Sequence, residues 1–320
     1  MNALITGGAG YIGSTVSNYL IDRGHNVTII DNLSTGSIGN LPKKAVFFKI
    51  DISDTKKLNK IFHKKKFDIV FHFAALINNE ESIKSSKKYY ENNFTKGKIF
   101  FENCIKNKIT RFVYSSTAAV YGNKNTKVSE KNKLKPMSPY PKSKLKLENF
   151  LKKKRKKISC IVLRYFNVAG SDYKLRCGFN IKKGYNLILN LCTAGIKQKK
   201  FIINGNDYDT KDGTPIRDYI HVEDLAQIHL ITANLILKKK LFKIYNCGYG
   251  NGFSVNQILK KFNRLLNKKI DFKIGKRRTS DIVISIANSD KLIRETNWRP
   301  KYNNLTYILK SSLSWYKENI

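Results

Sequence analysis

Tyr140 and Lys144, within the run Tyr140-Pro141-Lys142-Ser143-Lys144, stand four residues apart, the spacing that places two side chains on one face of a helix. An ammonium beside a phenol favours the ionised phenol. A unit charge about 4 Å away contributes on the order of 4 kcal/mol at an effective dielectric near 20, about three pKa units, which brings a tyrosine from about 10 towards neutrality. Such a tyrosinate is suited to take a hydroxyl proton while hydride leaves the same carbon. The spacing carries little by itself in a chain with 17 Tyr and 50 Lys, where an amphipathic surface helix is the plainer reading.

The N-terminus supplies the companion that this chemistry needs. Asn2-Ala-Leu-Ile-Thr6 is a short apolar run leading into Gly7-Gly8-Ala9-Gly10-Tyr11-Ile12-Gly13, followed by a helical pattern to Asp22. Strand, glycine turn and helix come in the order of a dinucleotide site. Gly8 is expected to allow the tight turn, Gly10 to let the backbone approach a pyrophosphate, and Gly13 to let helix pack on strand. Amides at the helix N-terminus then face phosphates. A second strand, Val27–Ile30, ends at Asp31, 18 residues after Gly13. An acid there binds ribose hydroxyls and repels a 2′-phosphate, which favours NAD over NADP.

The elements that must hold these residues are legible as alternating runs. Ala45–Ile50, Asp68–Phe73, Arg111–Ser115 and Cys160–Tyr165 read as strands, and Ile83–Asn107 and Pro141–Lys157 as helices between them. This alternation implies an α/β fold with a doubly wound parallel sheet and ligands at the carboxyl ends of its strands. After Asn167 the alternation stops. Residues 168–185 read as a loop, Leu187–Lys197 as a helix, Phe201–Ile203 as a strand, then a loop to Arg217 and a long helix Val222–Leu237. Ile244–Cys247 reads as a strand rejoining the main sheet, and Ser254 with Gln257 as a capping box for a helix to Asn267. The expected division is a NAD-binding part, 1–167, rejoined by about 218–250, and a smaller interleaved part, mainly 168–320.

At 320 residues and 41% hydrophobic content the chain can build such a core. Five cysteines (Cys104, Cys160, Cys177, Cys192, Cys247) show no metal-binding spacing, and their odd number fits reduced thiols in the cytoplasm. Met1 directly precedes the first strand, so no signal or transit peptide is expected, and no apolar stretch reaches the length of a membrane span. The formal charge of +38 comes from 50 Lys and 11 Arg against 23 acids. Spread along the chain, it resembles composition drift on tolerant surfaces rather than a specific nucleic-acid or membrane partner. The densest run, Lys152–Lys157, lies where cations favour a helix C-terminus.

With GGAGYIG, Asp31-Asn-Leu-Ser-Thr-Gly36, Ser115-Ser116-Thr117 and YxxxK in this order, the chain resembles the extended short-chain dehydrogenase/reductases. Arg164-Tyr-Phe-Asn-Val-Ala-Gly170, Gly205–Thr210, Asp212-Gly-Thr and Arg217-Asp-Tyr-Ile-His-Val222 narrow the resemblance to the UDP-glucose 4-epimerases among them. The resemblance runs from Met1 to about Tyr316. It implies interconversion of UDP-galactose and UDP-glucose with bound NAD, by a cytoplasmic homodimer with Ile83–Asn107 and Pro141–Lys157 at the interface.

The resemblance also assigns residues. Thr117 would bridge the sugar 4-hydroxyl and Tyr140, while Lys144 would also hold the nicotinamide ribose. Gly7, Gly10, Tyr11, Ile12, Gly13, Asp31 and Asn32 fall on the cofactor side. So do Asp51 and Ile52 at adenine, Phe73, Ala74 and Ala75 beside the pyrophosphate, and Ser115. Asn93, Tyr165 and Phe166 would lie near the nicotinamide. Asn167, Asn186, Leu187, Arg217, Arg278 and Asp281 fall on the nucleotide-sugar side, the arginines suited to a diphosphate. Ser285 falls near the sugar, where a small side chain leaves room for an N-acetyl group and hence for UDP-GlcNAc and UDP-GalNAc.

The chain departs from the family pattern at Thr15, Ile77, the 171–185 loop, Leu189 and Ser280. A nucleotide-sugar dehydratase or decarboxylase is the nearest alternative. A dehydratase needs a proton-transferring pair just after Thr117, where this chain has Ala118-Ala119. A NAD-sensing or polyanion-binding protein is the alternative of a different class, and the retained Thr117, Tyr140 and Lys144 argue against it.

Overall fold

A computed structural model describes residues 1–124, 126–181, 186–279 and 281–320. The first six strands are β1 (Asn2–Thr6), β2 (Asn26–Asp31), β3 (Val46–Lys49), β4 (Ile69–His72), β5 (Arg111–Thr117) and β6 (Ser159–Tyr165). They are followed by β7 (Asn167–Ala169), β8 (Phe201–Asn204), β9 (Ile216–His221), β10 (Phe242–Cys247), β11 (Gly252–Ser254), β12 (Phe272–Gly275) and β13 (Ile284–Ser285). Seven of them form one sheet in the order β10-β6-β5-β4-β1-β2-β3, every pairing parallel. The order reverses between β1 and β4, and that switch point opens a crevice at the carboxyl ends of the strands.

The helices are α1 (Tyr11–Ile21), α2 (Thr55–Lys64), α3 (Asn79–Lys84), α4 (Ser86–Tyr90), α5 (Lys96–Lys106) and α6 (Pro139–Lys153). After them come α7 (Leu187–Lys197), α8 (Val222–Lys238), α9 (Val255–Leu266), α10 (Asp290–Thr296) and α11 (Leu305–Glu318). A parallel sheet buries both faces, so its central strands are nearly continuous apolar runs; all seven residues of β6 are buried. On one face Val16 and Leu20 of α1 and Leu225 and Ile228 of α8 pack against Ile29, Phe71 and Val113. On the other, Leu58, Phe100, Phe101, Leu147 and Leu151 pack against Leu4, Ile30 and Tyr114. A third core joins α7, α9 and α11 to Phe201 and Tyr219. β7, β9, β11 and β13 form a small sheet, and β8 pairs with β12.

β10 joins the main sheet beside β6, as expected for Ile244–Cys247, and the Ser254–Gln257 capping box is formed in both directions. The single helix expected over Ile83–Asn107 is instead α3, α4, a π-helical turn at Glu91–Thr95, and α5. The reason lies at Asn93. Its side-chain oxygen accepts from the Leu76 amide at 2.8 Å, and its amide nitrogen donates to the Leu76 carbonyl at 2.9 Å. The widened turn is what carries that side chain inward. Helix α6 ends at Lys153 rather than Lys157, and Val168 and Ala169, read as the start of a loop, belong to strand β7 because β9 offers a parallel edge.

A buried ion pair fixes α6 to the sheet. Glu148 lies one turn after Lys144 and accepts from Arg164 of β6 at 2.7 and 3.2 Å, each side chain 3% exposed. Ser116 of β5 donates to the same carboxylate. Arg164 donates on to Tyr121 at 2.9 Å, and Tyr121 to Asn246 of β10 at 2.7 Å. Removing one partner of such a pair strands the other charge in the interior. Glu148→Ala is therefore expected to lower the unfolding free energy by about 3–5 kcal/mol, read by urea denaturation. A loss under about 1 kcal/mol would mean that α6 is held by its apolar face alone.

Candidate active site

At the crevice, Gly7 turns the chain with φ 74°, and a Cβ there would lie 2.6 Å from the Ala74 amide nitrogen. The tight turn thus falls on Gly7. Gly8, expected to make it, has its bare Cα against Ile29, where a Cβ would meet the side chain at 2.5 Å. A Cβ on Gly13 would lie 2.3 Å from the Gly7 carbonyl, so α1 can start this close to β1 only with glycine there. Gly10 caps α1 without a side chain, which leaves the first-turn amides of Tyr11, Ile12 and Gly13 at the mouth of the crevice. The Tyr11 hydroxyl donates to the Gly170 carbonyl at 2.6 Å.

At the end of β2, the Asp31 carboxylate accepts from Ala9 N at 3.0 Å and Leu33 N at 2.8 Å. Burial raises its pKa, against a smaller downward pull from these two amides. Asn32 donates to Asp51 at 3.0 Å, and Lys96 reaches the same oxygen at 2.8 Å. Burial works against the Asp51 anion, yet Lys96, Ser53 and Asn32 hold its carboxyl well below the usual range. Ile52 is buried, and Phe73, Ala74 and Ala75 are half-buried just past β4. A dinucleotide fits these groups: a glycine cradle with no room for Cβ atoms, free helix amides for phosphates, and a fixed carboxylate at the β2 end for a ribose.

Thr117 ends β5, Tyr140 lies in the first turn of α6, and Lys144 follows one turn later. Tyr140 is half-buried and close enough to Thr117 for that hydroxyl to favour its anion, and Thr117 Oγ1 accepts from Ala119 N at 3.2 Å. Lys144 is buried. Its Nζ lies 3.4 Å from Ser115 Oγ and 4.6 Å from the centre of the Tyr114 ring. Asn93 reaches the same helix, donating to Ser143 Oγ at 3.2 Å. Tyr165 is buried and hydrogen-bonds His229 at 2.6 Å, while Phe166 packs with Ala118, Tyr121 and Ala287.

The electrostatics differ from the expectation set by spacing. Burial raises the Tyr140 phenol, against a smaller downward pull from Thr117. Burial also brings the Lys144 ammonium down to about 7, against a rise caused by Glu148. The simple Coulomb argument placed both groups in a well-solvated medium with the ammonium aimed at the phenol. Here the pocket desolvates both, and Lys144 is turned to Ser115 and Tyr114.

On the opposite side, β7, β9 and β13 carry Asn167, Arg217 and Ser285 on adjoining strands, with Ser285 in register with Arg217. Arg217 donates to Asp281 at 2.6 Å, and Tyr208 donates to the other Asp281 oxygen at 3.0 Å. Arg278 pairs with Glu80 of α3 at 3.0 Å, joining the two sides. Asn186 caps α7 through Leu189 N at 2.7 Å, a bond the Leu189 departure makes available because Pro has no amide hydrogen. Leu187 is half-buried in the first turn of α7. Ile77 is 73% exposed, whereas Thr15 is buried and bonded to the Tyr11 carbonyl at 3.0 Å. Ser280 and the 182–185 part of the altered loop lie outside the described residues. The sequence reading missed Glu148, although its place four residues after Lys144 was a signal. It also missed Lys96 and Tyr208, whose partners lie far away in the chain.

Residues 3–248 match the model of the NAD dependent epimerase/dehydratase family. The chain belongs to that family. It is 36% identical to a UDP-glucose 4-epimerase of Lactobacillus helveticus over all of this chain and 98% of that relative. Among solved structures it is similar to the UDP-glucose 4-epimerase of Bifidobacterium longum in complex with NAD+ and UDP. That likeness has a TM-score of 0.93 at 30% identity and covers 100% of this chain and 99% of the other. It is also similar to the UDP-Glc/GlcNAc 4-epimerase of Campylobacter jejuni, at TM-score 0.84, 36% identity and 99% of each chain. As a member of an NAD-dependent epimerase family the chain uses NAD, in keeping with the cradle at Gly7–Gly13.

The depressed Lys144 pKa has a measurable consequence. Unfolded lysine titrates near about 10.4 and folded Lys144 near about 7. Between these values the unfolded chain holds a proton that the folded one has lost, so stability from this group rises with pH. In cofactor-free protein, the stability of wild type minus that of Lys144→Met is expected to increase from pH 7 to 10 in urea titrations. A difference that stays flat or falls would show that the ammonium is not desolvated.

Proposed function

We propose that the protein is an epimerase that interconverts UDP-galactose and UDP-glucose. The observation that carries this reading is the convergence of Thr117, Tyr140 and buried Lys144 at the carboxyl end of the switch-point crevice, with Ala118 and Ala119 next in the chain. Thr117 and Tyr140 hold the sugar 4-hydroxyl, and Tyr140 takes its proton. Bound NAD supplies a hydride acceptor for C4 and a hydride donor for the return. Lys144, in contact with Ser115 and one turn along α6 from Tyr140, is placed to hold the nicotinamide ribose. Because Ala118 and Ala119 carry no transferable proton, elimination of water at C6 has no acid/base pair, and a dehydratase is disfavoured. The 4-keto sugar turns over, and C4 takes hydride back on its opposite face while the oxygen regains its proton from Tyr140, so net redox change is zero.

The cofactor side is assigned to Gly7, Gly10, Tyr11, Ile12, Gly13, Asp31, Asn32, Asp51, Ile52, Phe73, Ala74, Ala75, Asn93, Ser115 and Phe166. On the sugar-nucleotide side, Arg217 and Arg278 leave Asp281 and Glu80 for the diphosphate, with Asn167, Asn186 and Leu187 nearby. The reading extends to a cytoplasmic homodimer that packs through the 83–107 and 141–157 faces. Conversion of UDP-galactose to UDP-glucose by purified protein, followed by NMR, tests it; no turnover with NAD present would overturn it. Tyr140→Phe is expected to lower turnover at least about a hundredfold while NAD stays bound, because the glycine cradle is untouched. Near-normal turnover would remove Tyr140 from the proton transfer.

Substrate breadth follows from Ser285. Side chains alternate along a strand, so Ser285 shares a face with Ala287, which packs with Ala118 and Phe166. Ile286 points the other way, towards Gly252. A small residue on the Phe166 side leaves room for an N-acetyl group, and the Campylobacter jejuni relative is named for both substrate classes. The enzyme is expected to interconvert UDP-GlcNAc and UDP-GalNAc as well. Ser285→Tyr should abolish that activity by overpacking and spare UDP-galactose. If wild type ignores UDP-GalNAc, or if tyrosine leaves its use unchanged, Ser285 does not set the pocket.

A further inference from the structure

We infer that the end of the central sheet opposite the active site is a docking face for an anionic lipid bilayer. All seven strands are parallel, so their N-terminal ends, and the ends of the helices leading into them, emerge on one side. The sequence contains four runs of three or more consecutive basic residues: Lys64–Lys66, Lys152–Lys157, Lys238–Lys240 and Lys276–Arg278. Three of the four lie at this end, where α2 leads into β4, α6 into β6 and α8 into β10. Lys43, Lys44, Lys106, Lys108 and Arg111 join them from the neighbouring connections. With Arg23 of the α1–β2 connection, seventeen exposed basic side chains are gathered there.

The turns adjoin one another. Lys240 Nζ donates to the Lys156 carbonyl at 2.5 Å, and Ser159 and Cys160 donate to Thr110 and Leu241, each at 2.9 Å. Lys44, Lys65 and Lys66 line one groove together with Asn2 and Asn26. The connections hold two acids, Asp22 and Asp68, and both are engaged. Asp68 accepts from Asn2 N at 2.7 Å, and Asp22 pairs with Arg176 at 2.9 Å. Helix dipoles account for a cation or two in each last turn, not for runs that continue beyond the helix. Composition drift scatters lysine; it does not collect three of four runs on one surface.

The form of the face selects the partner. Seven strands about 4.8 Å apart spread the charges over roughly 30 Å, a breadth suited to a planar array of headgroups. The charges are mostly lysine points, with Arg23, Arg111 and Arg155 the arginines among them, so bidentate phosphate forks are few. Phe67, the aromatic ring in these turns, is half-buried and edge-on to Phe62, which leaves no platform for stacking bases. Among the described residues no helix is long and apolar enough to cross a membrane, so the contact is peripheral, electrostatic and reversed by salt. Docked this way, the carboxyl ends of the strands and the catalytic crevice face the solvent.

The test is flotation of the full chain with phosphatidylcholine vesicles with and without phosphatidylserine. Binding is expected only with phosphatidylserine and is lost at about 0.5 M salt. Lys44→Glu, Lys65→Glu, Lys66→Glu and Lys239→Glu together, all outside the proposed dimer faces, should weaken it at least about a hundredfold and leave turnover of UDP-galactose unchanged. Lys260→Glu, Lys268→Glu, Lys269→Glu and Lys273→Glu remove the same charge elsewhere and should weaken it far less. Equal losses in the two variants would mean that net charge, not this face, attracts vesicles, and would overturn the proposal. So would tighter binding of a single-stranded RNA or a DNA duplex that displaces the vesicles and is lost in the first variant.

Discussion

The ion pair between Glu148 and Arg164 is the interaction on which the catalytic geometry rests. Both charges are buried, so neither can relax into solvent if the other moves. Through Ser116 the pair ties α6 to β5, through Arg164 to β6, and through Tyr121 and Asn246 to β10. Tyr140 and Lys144 lie on the first turns of the same α6. Their height above the strand ends is therefore set by a polar lock one turn below them, not by the apolar face of the helix alone. Glu148 also supplies the negative charge that opposes desolvation of Lys144. One carboxylate thus fixes the position of the ammonium and offsets part of what burial takes from its charge.

The two sides of the crevice are held by different kinds of constraint. On the dinucleotide side the constraint is steric, because Gly7 and Gly13 let three backbone segments approach to distances that a Cβ forbids. On the other side it is electrostatic. Arg217 is neutralised by Asp281, and Arg278 reaches across to Glu80. On the proposed assignment, a diphosphate arriving there would compete with carboxylates already in place, so its binding would exchange ion-pair partners rather than meet free cations.

Much of this was legible in the amino-acid order. Local periodicity marked β1 to β6, α7 and the return of β10, because a buried parallel strand needs an apolar run of a length that turns and caps delimit. GGAGYIG, Asp31 and YxxxK carried the chemistry because each role demands a residue type with no ready substitute. The π-helical turn at Glu91–Thr95 was not legible. It depends on Asn93 finding the backbone of Leu76, 17 residues away in the chain and outside any local pattern.

The sequence by itself pointed to the groups that are proposed to take part: a glycine turn, an acid at the end of β2, and a Thr–Tyr–Lys set. Only the tertiary structure decided their electrical state and their neighbours. Spacing gave Tyr140 a nearby cation, but burial, which no spacing reveals, raised the phenol and lowered the ammonium. The lysine runs behave alike. Along the chain they are separate and look like drift, and a parallel sheet brings three of them to one end because every strand begins on the same side. Charge and solvation depend on distances through space, and those exist only once the strands have been paired.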